Sequence, residues 1–313
     1  MLIAPEISVV ISTYNRNHPS RDCASLFQRA VDSILNQTFF DFELILINDA
    51  SHDGTHDLCL KYAAQDCRVK YVCHEKNTQL PARCYNEGMG LSRGRYIAFM
   101  FDDDMWLPTT LHDLYTFFES SLKELPNLGM VYGQTQFNDT ATNTILNPQF
   151  GLAWDLNLLH THNLLANCAV LLKKEVIEVV GGYDEDPVMR RICDWDLWQR
   201  IGRMYSVLFL PKLVASVYQN QPDSIGSLVV LDRKQVRKRQ KSNRKLPLQI
   251  RNPTIWQRIR SALTFFHIHF PVSKKYKHYE ALCVPKMKYY TKKFLQTIGC
   301  WKLAKTVYDR IKT

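Results

Sequence analysis

The sequence predicts an α/β fold: a Rossmann-type mixed, mainly parallel sheet flanked by helices, followed by a basic, mostly helical C-terminal extension. Three observations carry this. Short β-branched runs alternate with helix-spaced apolar patterns through the N-terminal third, the signature of βαβ units around a parallel sheet. Two of those runs empty abruptly into carboxylates, at Asp49 and at Asp102-Asp103-Asp104, and such sheets bind ligands beyond the carboxyl ends of their strands. Charge is also divided: residues 1–232 hold 18 Lys/Arg against 28 Asp/Glu, net −10, whereas residues 233–313 hold 22 against 2, net +20. The expected division is therefore an α/β domain over 1–230 and a basic extension over 231–313.

Residues 7–11 are a β-branched run that leaves the core into the polar loop Ser12-Thr13-Tyr14-Asn15-Arg16. Leu26, Phe27, Ala30, Val31, Ile34 and Leu35 recur at helical spacing, and residues 42–47 form a second strand that ends in Asn48-Asp49. A helix through Leu58 and Tyr62 precedes a third strand at 69–72. Residues 80–92 read as helix, and Gly94 supplies a position suited to positive φ before the strand at 96–101. Pro108 opens a helix reaching about Lys123, and residues 128–132 are strand-like. Residues 134–165 are weakly patterned, with strands and loops expected but no register. Another short strand covers 169–172, and a short helix from Val176 to Val180 is ended by Gly181-Gly182. Asp194 and Asp196 open a helix whose apolar side carries Leu197, Trp198 and Ile201, and residues 214–218 form a strand before a breaker-rich loop. Farther on, Trp256, Ile259, Leu263, Phe266 and Phe270, and then Ala304, Val307 and Ile311, follow amphipathic helical steps.

Composition excludes several classes. The hydrophobic fraction of 46% is that of a globular chain. No apolar run is long enough to span a bilayer and no signal peptide is legible, so the expectation is a cytoplasmic protein. Nine cysteines lie scattered without a Cys-x-x-Cys pair or Cys/His ligand spacing, which points to reduced, mostly buried thiols.

Three adjacent aspartates repel one another, so a strand that delivers them to its end needs a cation, hydrogen-bond donors or open water there. Carboxylate oxygens suit hard divalent ions such as Mg²⁺ or Mn²⁺. The plainer alternative is a solvated turn that caps the next helix. For Asp194 and Asp196 the plainer alternative is an N-cap with a dipole-favoured carboxylate in the first turn.

The ordered set of residues 8–16, Asp49 with Ser51-His52-Asp53-Gly54-Thr55, residues 82–86, residues 94–98, the aspartate triplet and Asp194-Trp195-Asp196-Leu197-Trp198 resembles the inverting family 2 glycosyltransferases of GT-A fold, over about residues 6–220. The resemblance implies transfer of a sugar from a nucleotide diphosphate sugar, a UDP-sugar first, to an acceptor hydroxyl in cell-envelope polysaccharide or glycoconjugate synthesis. It places Ser12, Tyr14, Asp49, Arg83 and Asp102 against the nucleotide sugar, Asp103 and Asp104 on the metal, and Asp194 as general base. Asn48 and Cys193 stand where many members carry acidic residues, and Phe101 where many carry the first aspartate of the metal motif. A saccharide or lipid-linked acceptor is implied, as is a divalent metal, Mn²⁺ or Mg²⁺. Basic residues after Tyr218, or from Arg233 to Lys245, are candidates to close over the diphosphate.

Three rival readings are weaker. A sugar nucleotidyltransferase usually opens with a glycine-rich phosphate loop, and residues 12–16 contain no glycine. A haloacid-dehalogenase-like phosphatase carries its Asp-x-Asp after the first strand, and this triplet comes far later. A nucleic-acid-binding module built on the basic tail lacks any recognition motif, and the acidic body would repel a phosphate backbone. Instead, the tail is expected to pack on the body or rest on an anionic membrane surface, placing the protein peripherally on the inner face.

Overall fold

The structure is a computed structural model that describes residues 4–17, 23–220 and 231–245. The basic segment beyond residue 245, with its expected amphipathic helices, lies outside the described residues, as does most of the breaker-rich loop. A single nine-stranded sheet organises the rest. Its first half is parallel: β1 (Ile7–Thr13) lies between β2 (Phe42–Asn48) and β4 (Tyr96–Phe101), with β3 (Val69–Cys73) outside β2. Beyond β4, β8 (Val170–Lys173) runs antiparallel and joins β6 (Leu128–Asp139). β9 (Ser206–Gln219) pairs parallel with β6, and β5 (Met105–Trp106) caps it antiparallel. The expected mixed α/β sheet is present.

Residues 134–165, unreadable in sequence, resolve into the continuation of β6, the strand β7 (Ile145–Phe150) paired to it with register shifts, and the single turn α5 (Leu156–Leu159). Ile145 and Leu146 are exposed, so this stretch has no one-sided apolar face and hence no legible period.

One core packs α1 (Cys23–Leu35), α2 (Thr55–Gln65) and α4 (Thr110–Leu122) against one sheet face, through Phe27, Val31, Ile34, Cys59, Leu114 and Phe118. On the other face lie α3 (Pro81–Leu91), α6 (Lys174–Val180) and α7 (Cys193–Met204), with Tyr85, Val176, Leu197, Trp198 and Ile201. Strands β1, β2 and β4 are buried nearly end to end because helices cover both faces, which is why they read as continuous apolar runs. Trp198, on a helix-spaced apolar face, is fully buried. Among the described residues no helix is long and apolar enough to cross a membrane.

Gly94 differs from expectation. It is not among the residues with positive φ; it is required because a Cβ there would lie 2.6 Å from the Ser8 nitrogen and 2.8 Å from the Ile7 carbonyl carbon. The same turn is tied by Ser8, whose hydroxyl donates to Glu43 at 2.7 Å and accepts from the Gly94 N–H at 2.8 Å. Gly181 does adopt φ +79, ending α6 as the sequence implied. Gly94→Ala must push backbone against backbone between β1 and β4, and a loss of about 1–3 kcal/mol in urea unfolding is expected; an unchanged midpoint would refute this close approach.

Candidate active site

The carboxyl ends of β1, β2 and β4 form one rim, and their loops are knitted together. The loop after β1 donates its Asn15, Arg16 and Asn17 backbone N–H groups to Ser51 Oγ (2.9 Å), Thr55 Oγ1 (2.7 Å) and Asp53 Oδ2 (2.9 Å) of the loop after β2. His52 N–H returns a bond to Asn15 Oδ1 at 2.9 Å. Three non-glycine residues on this rim hold left-handed backbone, Asn15 (φ 51), Ala50 (φ 58) and Gln79 (φ 60). Such conformations cost energy and persist only where surrounding structure over-determines them, a pattern concentrated at functional sites.

Asp49 is buried and caged. The Thr78 N–H and hydroxyl donate to its two oxygens at 2.9 Å each, and His74 Nδ1 lies 2.7 Å from Oδ1. Ser12 is half-buried beside it at the end of β1, and Tyr14 projects 43% exposed. Asn48 is spent on structure: its carbonyl accepts from Ser51 N–H and Oγ–H, and its amide donates to Tyr71. Arg83, on α3, is half exposed and reaches Glu185 at 3.4 Å.

The aspartate triplet is not a uniform patch. Arg16 forks onto Asp102, Nε to Oδ2 at 2.9 Å and Nη2 to Oδ1 at 2.7 Å, and touches Asp103 Oδ2 at 3.4 Å. Arg29 donates to the Asp103 carbonyl at 2.8 Å while its guanidinium lies 3.5 Å over the Tyr218 ring. Asp104 turns inward. It is buried, accepts from Tyr218 N–H at 3.0 Å and lies against the Cys168 thiol. Burial, then the Asp103 charge, pushes its carboxyl well above the usual range. Asp103 and Asp104 together offer carboxylate oxygens, the donor type that Mg²⁺ or Mn²⁺ takes, and Asp104 would give up its proton to such an ion.

Across an aromatic wall lies α7. Phe101 meets Tyr85 at 6.2 Å, Tyr85 meets Tyr183 at 5.4 Å, and Tyr183 meets Trp198 at 6.4 Å between centroids. Asp194 sits in the first turn of α7, half-buried, and burial pushes its carboxyl up to about 6 against the opposing bonds from the Trp195 and Asp194 N–H groups. Asp196 instead pairs with Arg200 at 2.8 Å, both buried, and Arg200 donates to the carbonyls of Val180 (2.7 Å) and Gly182 (2.6 Å). The two aspartates, alike in sequence, thus differ in environment: burial raises Asp194, whereas Asp196 anchors the helix through Arg200.

Two positioning devices were not legible in sequence. Asn86 on α3 bonds the Tyr183 backbone on both sides, 2.7 Å and 3.0 Å, holding the loop before α7. The helix α8 (Arg233–Lys245) packs on that loop: Arg239 forks onto Asp184 at 2.7 and 2.9 Å, and Asn243 adds a third bond at 2.6 Å. Arg239 is therefore committed to the loop beside Asp194. A basic run seen alone carries no sign of a buried acidic partner 55 residues earlier.

Known proteins share this fold. The structure of Staphylococcus aureus TarS 1–349 in complex with UDP-GlcNAc superposes with a TM-score of 0.61 at 17% identity, covering 87% of this chain and 74% of that one. An uncharacterized glycosyltransferase of Rickettsia prowazekii is 26% identical over 216 residues, 66% of this chain and 62% of its own length. The GalNAc(5)-diNAcBac-PP-undecaprenol beta-1,3-glucosyltransferase of Campylobacter jejuni is 33% identical over 110 residues, 35% of this chain and 33% of its own. The chain thus spans less than two thirds of the length of the Rickettsia and Campylobacter relatives. The fold is that of the GT-A glycosyltransferases. With residues 8–180 matching the family profile, the chain belongs to glycosyl transferase family 2.

Replacing Arg200 by Ala strands a buried Asp196 and frees two carbonyls at the root of α7. A loss of about 3–5 kcal/mol is expected in denaturant unfolding, as for other broken buried pairs; a loss no larger than that of an exposed Arg→Ala control would refute the anchoring role.

Proposed function

We propose that this chain transfers a sugar from a nucleotide diphosphate sugar, UDP-linked, to an acceptor hydroxyl by a single displacement with inversion. The observation that carries the reading is the pairing of a half-buried Asp194, its carboxyl raised to about 6, with the aspartate triplet across one aromatic wall. A base with a pKa near working pH is ionised yet retains proton affinity.

Asp49 accepts from the base, Tyr14 offers its exposed ring face, and Ser12, Arg83 and Asp102 line the rest of the nucleotide sugar. Asp194 takes the proton of the acceptor hydroxyl as that oxygen attacks the anomeric carbon; the bond to the diphosphate breaks on the opposite face and configuration inverts. Asp103 and Asp104 would hold the metal, Mn²⁺ or Mg²⁺, which when bound supplies Lewis-acid stabilisation of the leaving diphosphate. Arg16 and Arg29 orient the triplet and offset its charge. α8 holds the loop that precedes Asp194. The likeness to an undecaprenol-linked glucosyltransferase supports a saccharide or lipid-linked acceptor in envelope synthesis, with the protein cytoplasmic and the basic extension against an anionic membrane surface.

Calorimetric titration of UDP, dTDP and GDP, each with and without Mn²⁺, tests the donor side. UDP should bind, more tightly with metal, and Asp103→Ala should lose the metal-dependent part alone. Binding by none of the three would remove the reading.

Asp194 tests the acceptor side. Because a carboxyl raised to about 6 is protonated below that pH and cannot then accept a proton, kcat/KM should rise through about pH 6 and level above it. Asp194→Asn should lower kcat about 10²–10⁴-fold and leave nucleotide affinity intact. A flat profile from pH 5 to 8 in the wild-type protein would exclude Asp194 as the base.

A further inference from the structure

Asp49 lies among side chains of metal-ligating chemistry that arrive from three separate elements. Asp49 follows β2, His74 follows β3 and Cys84 sits in α3, and one ligand atom from each lies within 4.8 Å of the other two. Asp49 and Cys84 are buried and His74 is half-buried. The histidine carries the informative geometry. Its Nδ1 faces Asp49 Oδ1 at 2.7 Å, while its Nε2 faces Glu87 Oε2 at 2.6 Å. A carboxylate on the far nitrogen, with the near one turned into a ligand cluster, is the outer-shell arrangement that fixes tautomer and basicity at metal sites.

A neutral imidazole donates from one nitrogen only, so a ring with both nitrogens against carboxylate oxygens is the protonated imidazolium. With Nε2 held by Glu87, the His74 Nδ1, an Asp49 oxygen and the Cys84 sulfur are the atoms that converge, and a divalent cation in place of the Nδ1 proton would take all three. Nitrogen, oxygen and sulfur together suit Zn²⁺, whereas the oxygen-only triplet suits Mg²⁺ or Mn²⁺.

We propose that Asp49, His74 and Cys84 form a second metal site, for Zn²⁺, with Glu87 as outer-shell partner, and that its occupation excludes the nucleoside diphosphate by taking the carboxylate that receives the base. The exclusion rests on the donor reading above; the site itself does not. Three protein ligands leave the fourth tetrahedral position to water. On binding, the His74 Nδ1 proton and the Cys84 thiol proton pass to the buffer; burial holds that thiol at about 11 in the metal-free protein, so the metal has to displace its proton.

Co²⁺ is the probe, titrated into the full chain with and without saturating UDP. The expected result is a thiolate-to-cobalt charge-transfer band that saturates, with two protons released per cobalt to a weak buffer containing an indicator. Cobalt at the oxygen-only triplet gives no such band. Cys84→Ser should abolish it, and Glu87→Gln should weaken cobalt binding about 10–100-fold. Circular dichroism confirms that both variants are folded, and Cys84→Ala repeats the test with an apolar replacement. UDP should raise the apparent Kd for cobalt by about tenfold or more, as mutual exclusion requires. A wild-type protein without the band at millimolar cobalt, or a band unchanged in Cys84→Ser, overturns the site. Full cobalt affinity in the presence of bound UDP overturns the exclusion. If UDP does not bind at all, the donor reading has failed, and the thiolate band still decides the site.

Discussion

Negative charge gathered at one edge of the sheet is the constraint that the rest of the structure answers. β2 ends at Asp49 and β4 at Asp102-Asp103-Asp104, so parallel strands deliver four carboxylates to neighbouring loops. Left alone they would repel and resist burial. They are met by several devices: Arg16 forks onto Asp102 and reaches the Asp103 carboxylate, a backbone N–H from β9 meets Asp104, and Thr78 with His74 meets Asp49. Asp104 is met least: it lies buried beside the Asp103 charge with one backbone N–H and the Cys168 thiol against it, and its carboxyl is pushed well above the usual range.

The other side of the cleft is built on the opposite principle. Among the described residues no arginine pairs with Asp194; burial lifts its pKa, and the first-turn N–H groups only moderate the shift. Its neighbour Asp196 takes the arginine instead and fastens α7 to the turn after α6. Two aspartates separated by one residue thus meet different environments, one raised by burial and one ion-paired, because the helix turns them to different neighbours. The loop leading to Asp194 is further fixed by Asn86 and by Arg239, so α3 and α8 both bear on the geometry of one carboxylate.

Much of the fold was legible because helices cover both faces of the sheet. Continuous apolar runs for β1, β2 and β4, helix spacing in α1 and α7, and the glycine stop after α6 are consequences of local chain geometry and one-dimensional pattern. Residues 134–165 failed that reading because β7 is exposed on both sides and β6 pairs with β9 through register shifts. Gly94 was singled out for a positive φ it does not have: the demand for glycine comes from the Ile7–Ser8 backbone of the neighbouring parallel strand β1. The short pairing of Met105-Trp106 with β9 had no local signal, since a two-residue strand exists only through its partner.

The candidate site divides in the same way. By itself the sequence determined the carboxylates, their place at strand and helix ends, and the family, because those depend on residue type and order along the chain. Tertiary structure alone decided which aspartates are ion-paired and which are raised toward neutrality. It alone brought His74, Cys84 and Glu87 to Asp49, though no ligand spacing in the sequence announced them. The physical reason is that charge, desolvation and metal geometry act over a few ångströms in space, and residues 49, 74 and 84 become neighbours only when β2, β3 and α3 pack side by side.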